Sequence, residues 1–240
     1  MQSVLIQAPN KNYVSFLQQV SADNRLKAFT NSKSHAVEFF NQNGDKALKV
    51  GLPLNFSKPV NDFELEQYAV DFEIITQTVC IVLIQAGEAA MGLINNSELI
   101  KHKVIRKYMV RKKQGKMQLK HLKTKGKSRA GSRIRLAQSI RFFEDINQKL
   151  NEWFADLPVG LIVYSIGPTL LPFWNDSNIE KPFDLSDKRV RKANWTVRTP
   201  RQNELIKSIS HIYSSRLSIF DPKLAKYINL KLEENKYIYR

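Results

Sequence analysis

Residues 78–85, TVCIVLIQ, constrain this chain more than any other stretch. From Thr78 to Ile84 every position is apolar or β-branched, with no polar alternation. A strand with one wet face alternates; a strand covered on both faces does not. The run therefore predicts a sheet with layers on both sides, an α/β architecture. Its surroundings agree. Gly87 is followed by AAMGLI, 89–94, a partner strand, and Asn95-Asn96-Ser97 marks the next turn. VIRKYMV, 104–110, reads as a further strand, GLIVYSI, 160–166, as a second buried one, and RVRKANWTVR, 189–198, as a strand near an edge.

Between these strands the period changes. Ile134, Ala137, Ile140, Phe143, Ile146, Leu150 and Trp153 keep steps of three or four, one apolar stripe along a helix that Leu157-Pro158 ends. Thr199-Pro200-Arg201-Gln202 has the form of a helix start, with Thr as cap, Pro at the first position and Gln three residues on, for a helix reaching about Ser214. Asp221-Pro222 repeats the signal. In the first sixty residues Tyr13, Phe16, Leu17 and Val20, and again Ala36, Val37, Phe39 and Phe40, recur at helical spacing, with a break at Asn43-Gly44-Asp45. FELEQYAVDFEIIT, 63–76, partly alternates and predicts a strand. The expected organisation is a mostly helical extension over 1–62, an α/β domain over 63–215 with a mixed sheet flanked by helices, and a helical tail over 216–240. No internal repeat and no linker rich in Gly or Ser separates them.

The formal net charge is +16. Placement says more than size. Sixteen lysines and arginines fall between residues 101 and 141, without one Asp or Glu; elsewhere the two signs balance. One concentrated basic patch implies a localised polyanion, and phosphate backbones are the usual one. Several chemistries find no support. His35, His102, His121 and His211 are scattered, with no ligand spacing for zinc. No Walker A, dinucleotide or G-x-S-x-G motif occurs. The basic window lacks acids for a two-metal site. Neither metal nor cofactor is expected. Cys80 stands alone in an apolar run, which excludes an internal disulfide and reads as a small buried hydrophobe suited to a reducing cytoplasm. No apolar run reaches about 18 residues, and the N-terminus lacks the pattern of a secretory signal. The expectation is a cytoplasmic monomer without a membrane span.

Within the basic window one break is uncharged: Gly115 and Gln118, a G-x-x-Q. A glutamine amide both donates and accepts, so it can orient a water or a ribose hydroxyl against an ester carbonyl, which is catalysis by positioning. Glycine beside it lets backbone approach the reacting centre. Spacing alone favours the simpler alternative, a loop whose Gln only hydrogen-bonds RNA.

The string HKVIRKYMVRKKQGKMQ, 102–118, closely resembles the signature of the Vms-type release factors, the VLRF family, relatives of the catalytic domain of eukaryotic class-one release factors. His102-Lys103, Tyr108, Val110, Arg111, Lys113, Gln114, Gly115 and Gln118 carry the match, followed by Lys125-Gly126-Lys127, Ala130-Gly131-Ser132 and a long helix. Trp195-Thr196, Arg198 and Pro200 resemble the family's last segment. The resemblance implies an α/β fold of the translational-machinery type acting on peptidyl-tRNA of stalled large ribosomal subunits. Gln118 would be the catalytic residue with Gly115 beside it. Lys103, Arg106, Arg111, Lys112, Lys113, Lys116, Lys120, Lys123, Lys125, Lys127, Arg129 and Arg133 would grip rRNA and tRNA phosphates. Lys116 and Met117 stand where small residues are common in the family. The expected activity is peptidyl-tRNA hydrolysis in ribosome rescue. The alternatives are a non-catalytic rRNA- or ribosome-binding factor, and an RNase cutting the tRNA acceptor end.

Overall fold

The structure is a computed structural model and describes residues 2–7, 10–31, 34–56, 77–107, 130–234 and 238–239. The chain divides into two compact units: residues 1–75 with 210–240, and residues 76–209.

The second unit is built on the run that opened the sequence. Strand β5 (Thr78–Gln85) is buried from Thr78 to Ile84. β6 (Glu88–Asn95) pairs antiparallel with it across the turn at Gly87, whose φ of +80° favours glycine. β7 (Glu98–Arg106) pairs antiparallel with β6 after the Asn96-Ser97 turn, where both residues adopt positive φ. On the other side β8 (Val159–Ile166) runs parallel to β5, and β9 (Val190–Lys192) runs parallel to β8. The order is β7-β6-β5-β8-β9, a mixed sheet with β9 at an edge; of the strand expected over 189–198 only Val190–Lys192 forms. Helix α2 (Ala130–Asp156) crosses one face. Its Phe142, Phe143, Ile146, Leu150 and Trp153 pack on Cys80, Val82 and Ile84. The opposite face of β5 is equally dry: Val79, Ile81 and Leu83 have no exposure. At about 25 cal/mol per Å² of apolar surface removed from water, this two-sided burial is the main stabilising term of the unit.

Ile140 departs from the predicted stripe and is 41% exposed. At 100° per residue it sits about 90° from the centre of the stripe through Ser139, Phe143, Ile146 and Leu150, while Phe142, about 70° away on the opposite side, is buried. A second flank of α2 holds the segment after it. Asn147 is fully buried: its Oδ1 accepts from Trp174 Nε1 at 2.7 Å and its Nδ2 donates to the Ile179 carbonyl at 2.6 Å. Asn151 Nδ2 donates to the Glu180 carbonyl at 2.8 Å, one helical turn on. These bonds seat the short helix α3 (Leu171–Asn175) and the chain behind it. Helix α4 (Gln202–Ile212) begins two residues later than its Thr-Pro signal, with the Arg201 carbonyl as first acceptor, for the N–H groups of Glu204 and Leu205.

The first unit corrects the expectation for residues 1–62. Helix α1 (Asn10–Ser21) is present, but the rest is mainly sheet: β1 (Gln2–Gln7), β2 (Leu26–Asn31), β3 (Ala36–Asn41) and β4 (Lys46–Gly51). The Asn43-Gly44-Asp45 break is the turn of the β3–β4 hairpin, with Gly44 at φ +85°. The tail after 216 is likewise not wholly helical. β10 (Ser214–Ile219) enters between β1 and β4, helix α5 (Pro222–Glu234) follows, and β11 (Ile238–Tyr239) pairs with β1. The Asp221 cap is as the sequence predicts, Oδ1 accepting from the Lys223 N–H at 2.9 Å. α1 and α5 pack on one face of this sheet, Phe16, Leu17, Val20, Leu224 and Ile228 meeting Val37, Phe39, Leu48, Val50 and Leu217. The strand expected over 63–76 lies outside the described residues.

Candidate functional site

The basic window begins on the edge strand β7 and ends on the long helix α2. Both anchors are described; residues 108–129, with Gly115, Gln118 and the basic side chains Arg111 through Arg129, lie outside the described residues. The exit of β7 is held twice: the Lys107 N–H donates to the Gly87 carbonyl at 2.9 Å, and Lys107 Nζ pairs with Asp145 Oδ2 at 2.9 Å. Lys101 Nζ pairs with Asp156 Oδ2 at 3.0 Å. These two pairs set strand and helix side by side and antiparallel. Residues 130–144 therefore carry α2 about 22 Å past the Lys107 pair, at 1.5 Å per residue. Arg133 falls in this stretch, and Arg141 is exposed near its end.

Strand alternation separates two of the predicted contacts. Lys103 shares a face of β7 with Lys101 and Ile105, the face turned to α2. It makes no ion pair among the described residues. Arg106 lies on the other face with Val104. There the two line an open cleft of about 540 Å³ together with Arg201, Gln202 and Asn203 from the start of α4. Arg106 is only loosely engaged, its Nε 3.9 Å from Glu88 Oε1. Two guanidinium groups and two carboxamides around one cleft suit an oxyanion such as a phosphate, since guanidinium offers paired donors in a fixed fork. Arg201 was not legible as a site residue: it lies 95 positions after Arg106 and reads, in sequence, as part of a helix start.

The remaining groups offer little chemistry. Burial pushes the Cys80 thiol far above its ordinary range, so it is a packing residue. Asp187 is held below the usual carboxylate range by its hydrogen bonds with Arg189, whose Nη1 also donates to the Val159 carbonyl at 2.9 Å; that pair fixes the approach to β9. Among the described residues no group of three or more His, Cys, Asp or Glu could hold a metal ion, and no helix is long and apolar enough to cross a membrane.

The second unit is thus a mixed sheet packed by a long helix, with the basic window running in sequence from its edge strand to that helix. The chain belongs to the family described as the Bacteroidetes VLRF1 release factor, whose model matches residues 79–219, more than half its length. The match takes in the whole of residues 101–141. Among solved structures, one titled "Vms1 mitochondrial localization core" is similar at 12% identity and a TM-score of 0.43, covering 90% of this chain and 84% of that one. Another, titled "Archaeal protein", is similar at 11% identity and a TM-score of 0.34, covering 98% and 71%. No curated protein matches the chain by sequence.

Proposed function

We propose that this chain is a ribosome-rescue release factor that hydrolyses peptidyl-tRNA on stalled large ribosomal subunits. The observation that carries the reading is the place in the sequence of Gly115 and Gln118: within the family match, inside the sixteen-cation window, and between strand β7 and helix α2. Gln118 is the positioning group. Its Oε1 accepts from a water and its Nε2 donates toward the ester, so the water meets the carbonyl carbon in line. The Gly115 region brings backbone N–H groups to the developing oxyanion. The ester bond to the tRNA ribose breaks, and the ribose oxygen leaves with a proton from the water. Lys103, Arg106, Arg133 and the cations of 111–129 hold rRNA and tRNA phosphates, and Arg201 with Arg106 extends that grip. The protein works as a cytoplasmic monomer.

The test is single-turnover peptide release from large subunits carrying peptidyl-tRNA. Wild type releases peptide and leaves full-length tRNA. Gln118→Ala binds the same subunits and releases at least about a hundredfold more slowly. Equal release by both proteins removes Gln118 from catalysis, and a shortened tRNA acceptor end replaces ester hydrolysis with RNA cleavage.

A further inference from the structure

The sheet of the first unit has a second face, opposite α1 and α5. Ladder register and strand alternation place Phe29, Glu38 and Lys49 in one row across β2, β3 and β4, and Lys27, Phe40 and Lys46 in the next. Arg216 projects from the same side of β10, which is flanked by β1 and β4, and it is exposed. An exposed arginine in the middle of a sheet means the face is open to solvent there.

The chemistry of this face is specific. Phe29 and Phe40 are half-buried and meet edge to face, ring centroids 5.6 Å apart. Lys46 Nζ lies 5.7 Å from the Phe40 centroid. Glu38, only 8% exposed, holds Lys46 at 2.8 Å and Lys49 at 3.2 Å, fixing the Lys46 ammonium beside the Phe40 ring. Lys27 and Arg216 make no ion pair among the described residues, so the face keeps a positive surplus after Glu38 is counted. Beside the rings an open cleft of about 530 Å³ is lined in part by Lys27, Phe29, Asn31, Phe40 and Gln42.

We infer that this face binds single-stranded RNA, with unpaired bases stacking on Phe29 and Phe40, and Lys27 and Arg216 taking backbone phosphates. Three kinds of partner can be compared. An apolar protein surface would bury Lys27 and Arg216 without a counter-charge. An acidic peptide would use the cations and leave the rings idle. Unpaired RNA uses both at once, and the Asn31 and Gln42 amides can read base edges. The inference uses residues of the first unit alone and stands or falls separately from the Gln118 reading.

The experiment uses the full chain and short single-stranded oligouridine carrying 4-thiouridine, with crosslinked peptides mapped by mass spectrometry and affinity measured at fixed salt. Adducts are expected on residues 26–31 or 36–41, besides those on the basic window. In the Phe29→Leu/Phe40→Leu double variant, which keeps apolar bulk, the first set disappears, the second persists, and affinity falls about tenfold. A circular-dichroism melt checks its fold. Should it not fold, the exposed pair Lys27→Glu/Arg216→Glu carries the test with the same expected loss of adducts. Adducts confined to residues 101–141, with unchanged affinity in folded variants, overturn the inference. So does weaker ribosome binding by Lys27→Glu/Arg216→Glu when no RNA adduct forms on β2 or β3, because the face then meets protein.

Discussion

The two sheets of this chain are made differently. In the second unit, β5 is dry on both faces, Cys80, Val82 and Ile84 on one and Val79, Ile81 and Leu83 on the other. In the first, Val37 and Phe39 enter the core while Glu38 and Phe40, on the same strand, belong to a basic and aromatic surface. A strand buried on both sides anchors its sheet, and the basic residues Arg106 and Lys107 stand at the end of the exposed edge strand β7. A sheet buried on one side offers its other face for contact. One sheet thus has a central strand closed on both faces, and the other has an open face of charged and aromatic side chains.

The contrast breaks most sharply under an acidic substitution. Ile81→Asp puts an unpaired carboxylate into the dry sheet, at a cost of about 5 kcal/mol, comparable with a domain's whole stability. The expected outcome in a denaturant melt is loss of the second unit's transition. Arg216→Asp, on the open face of a central strand, costs about 1 kcal/mol or less in the same melt. Next in size is Asn147→Ala, which leaves Trp174 Nε1 and the Ile179 carbonyl without their partner. A loss of about 2–3 kcal/mol is expected in urea denaturation, with altered tryptophan fluorescence from Trp174.

The open face has its own signature in pH. Burial opposes charge on Glu38, but the hydrogen bonds from Lys46 and Lys49 outweigh it and hold the carboxyl below its ordinary range. A carboxylate depressed on folding stabilises the folded state above its unfolded pKa, about 4.3, and that contribution is lost as pH falls through the lower folded value. Acid titration of the wild type should therefore show a stability loss below about pH 4 that Glu38→Gln lacks. The smallest effect belongs to the Lys107–Asp145 pair, which is partly exposed. Asp145→Asn should change stability by under about 1 kcal/mol, and less in high salt. A larger change would mean the anchor of the basic window is structural rather than local.

Sequence reading succeeded where one period acted alone. The unbroken run at β5 and the Asp221-Pro222 cap both point to what is found. It failed at β3, where Ala36, Val37, Phe39 and Phe40 satisfy helical spacing but lie on a strand. Phe40, an apolar residue on the same face as Glu38, blurs the strand alternation, and Glu38 is held on that face by two lysines of β4 that only pairing brings close. The same limit applies at the site. The cations of 101–141 are visible as a block, yet the strand divides Lys103 from Arg106, and Arg201 joins Arg106 across 95 positions. Long-range pairing, not local pattern, made those neighbours.

The division between an aimed loop and a contact surface is tested most directly by measuring peptide release from stalled large subunits as a function of protein concentration. The account predicts that Gln118→Ala lowers the maximal rate at least about a hundredfold with an unchanged half-saturating concentration. Lys27→Glu/Arg216→Glu should raise the half-saturating concentration and leave the maximal rate in place. A normal maximal rate with Gln118→Ala, or a collapsed maximal rate with the Lys27 and Arg216 pair, would contradict it.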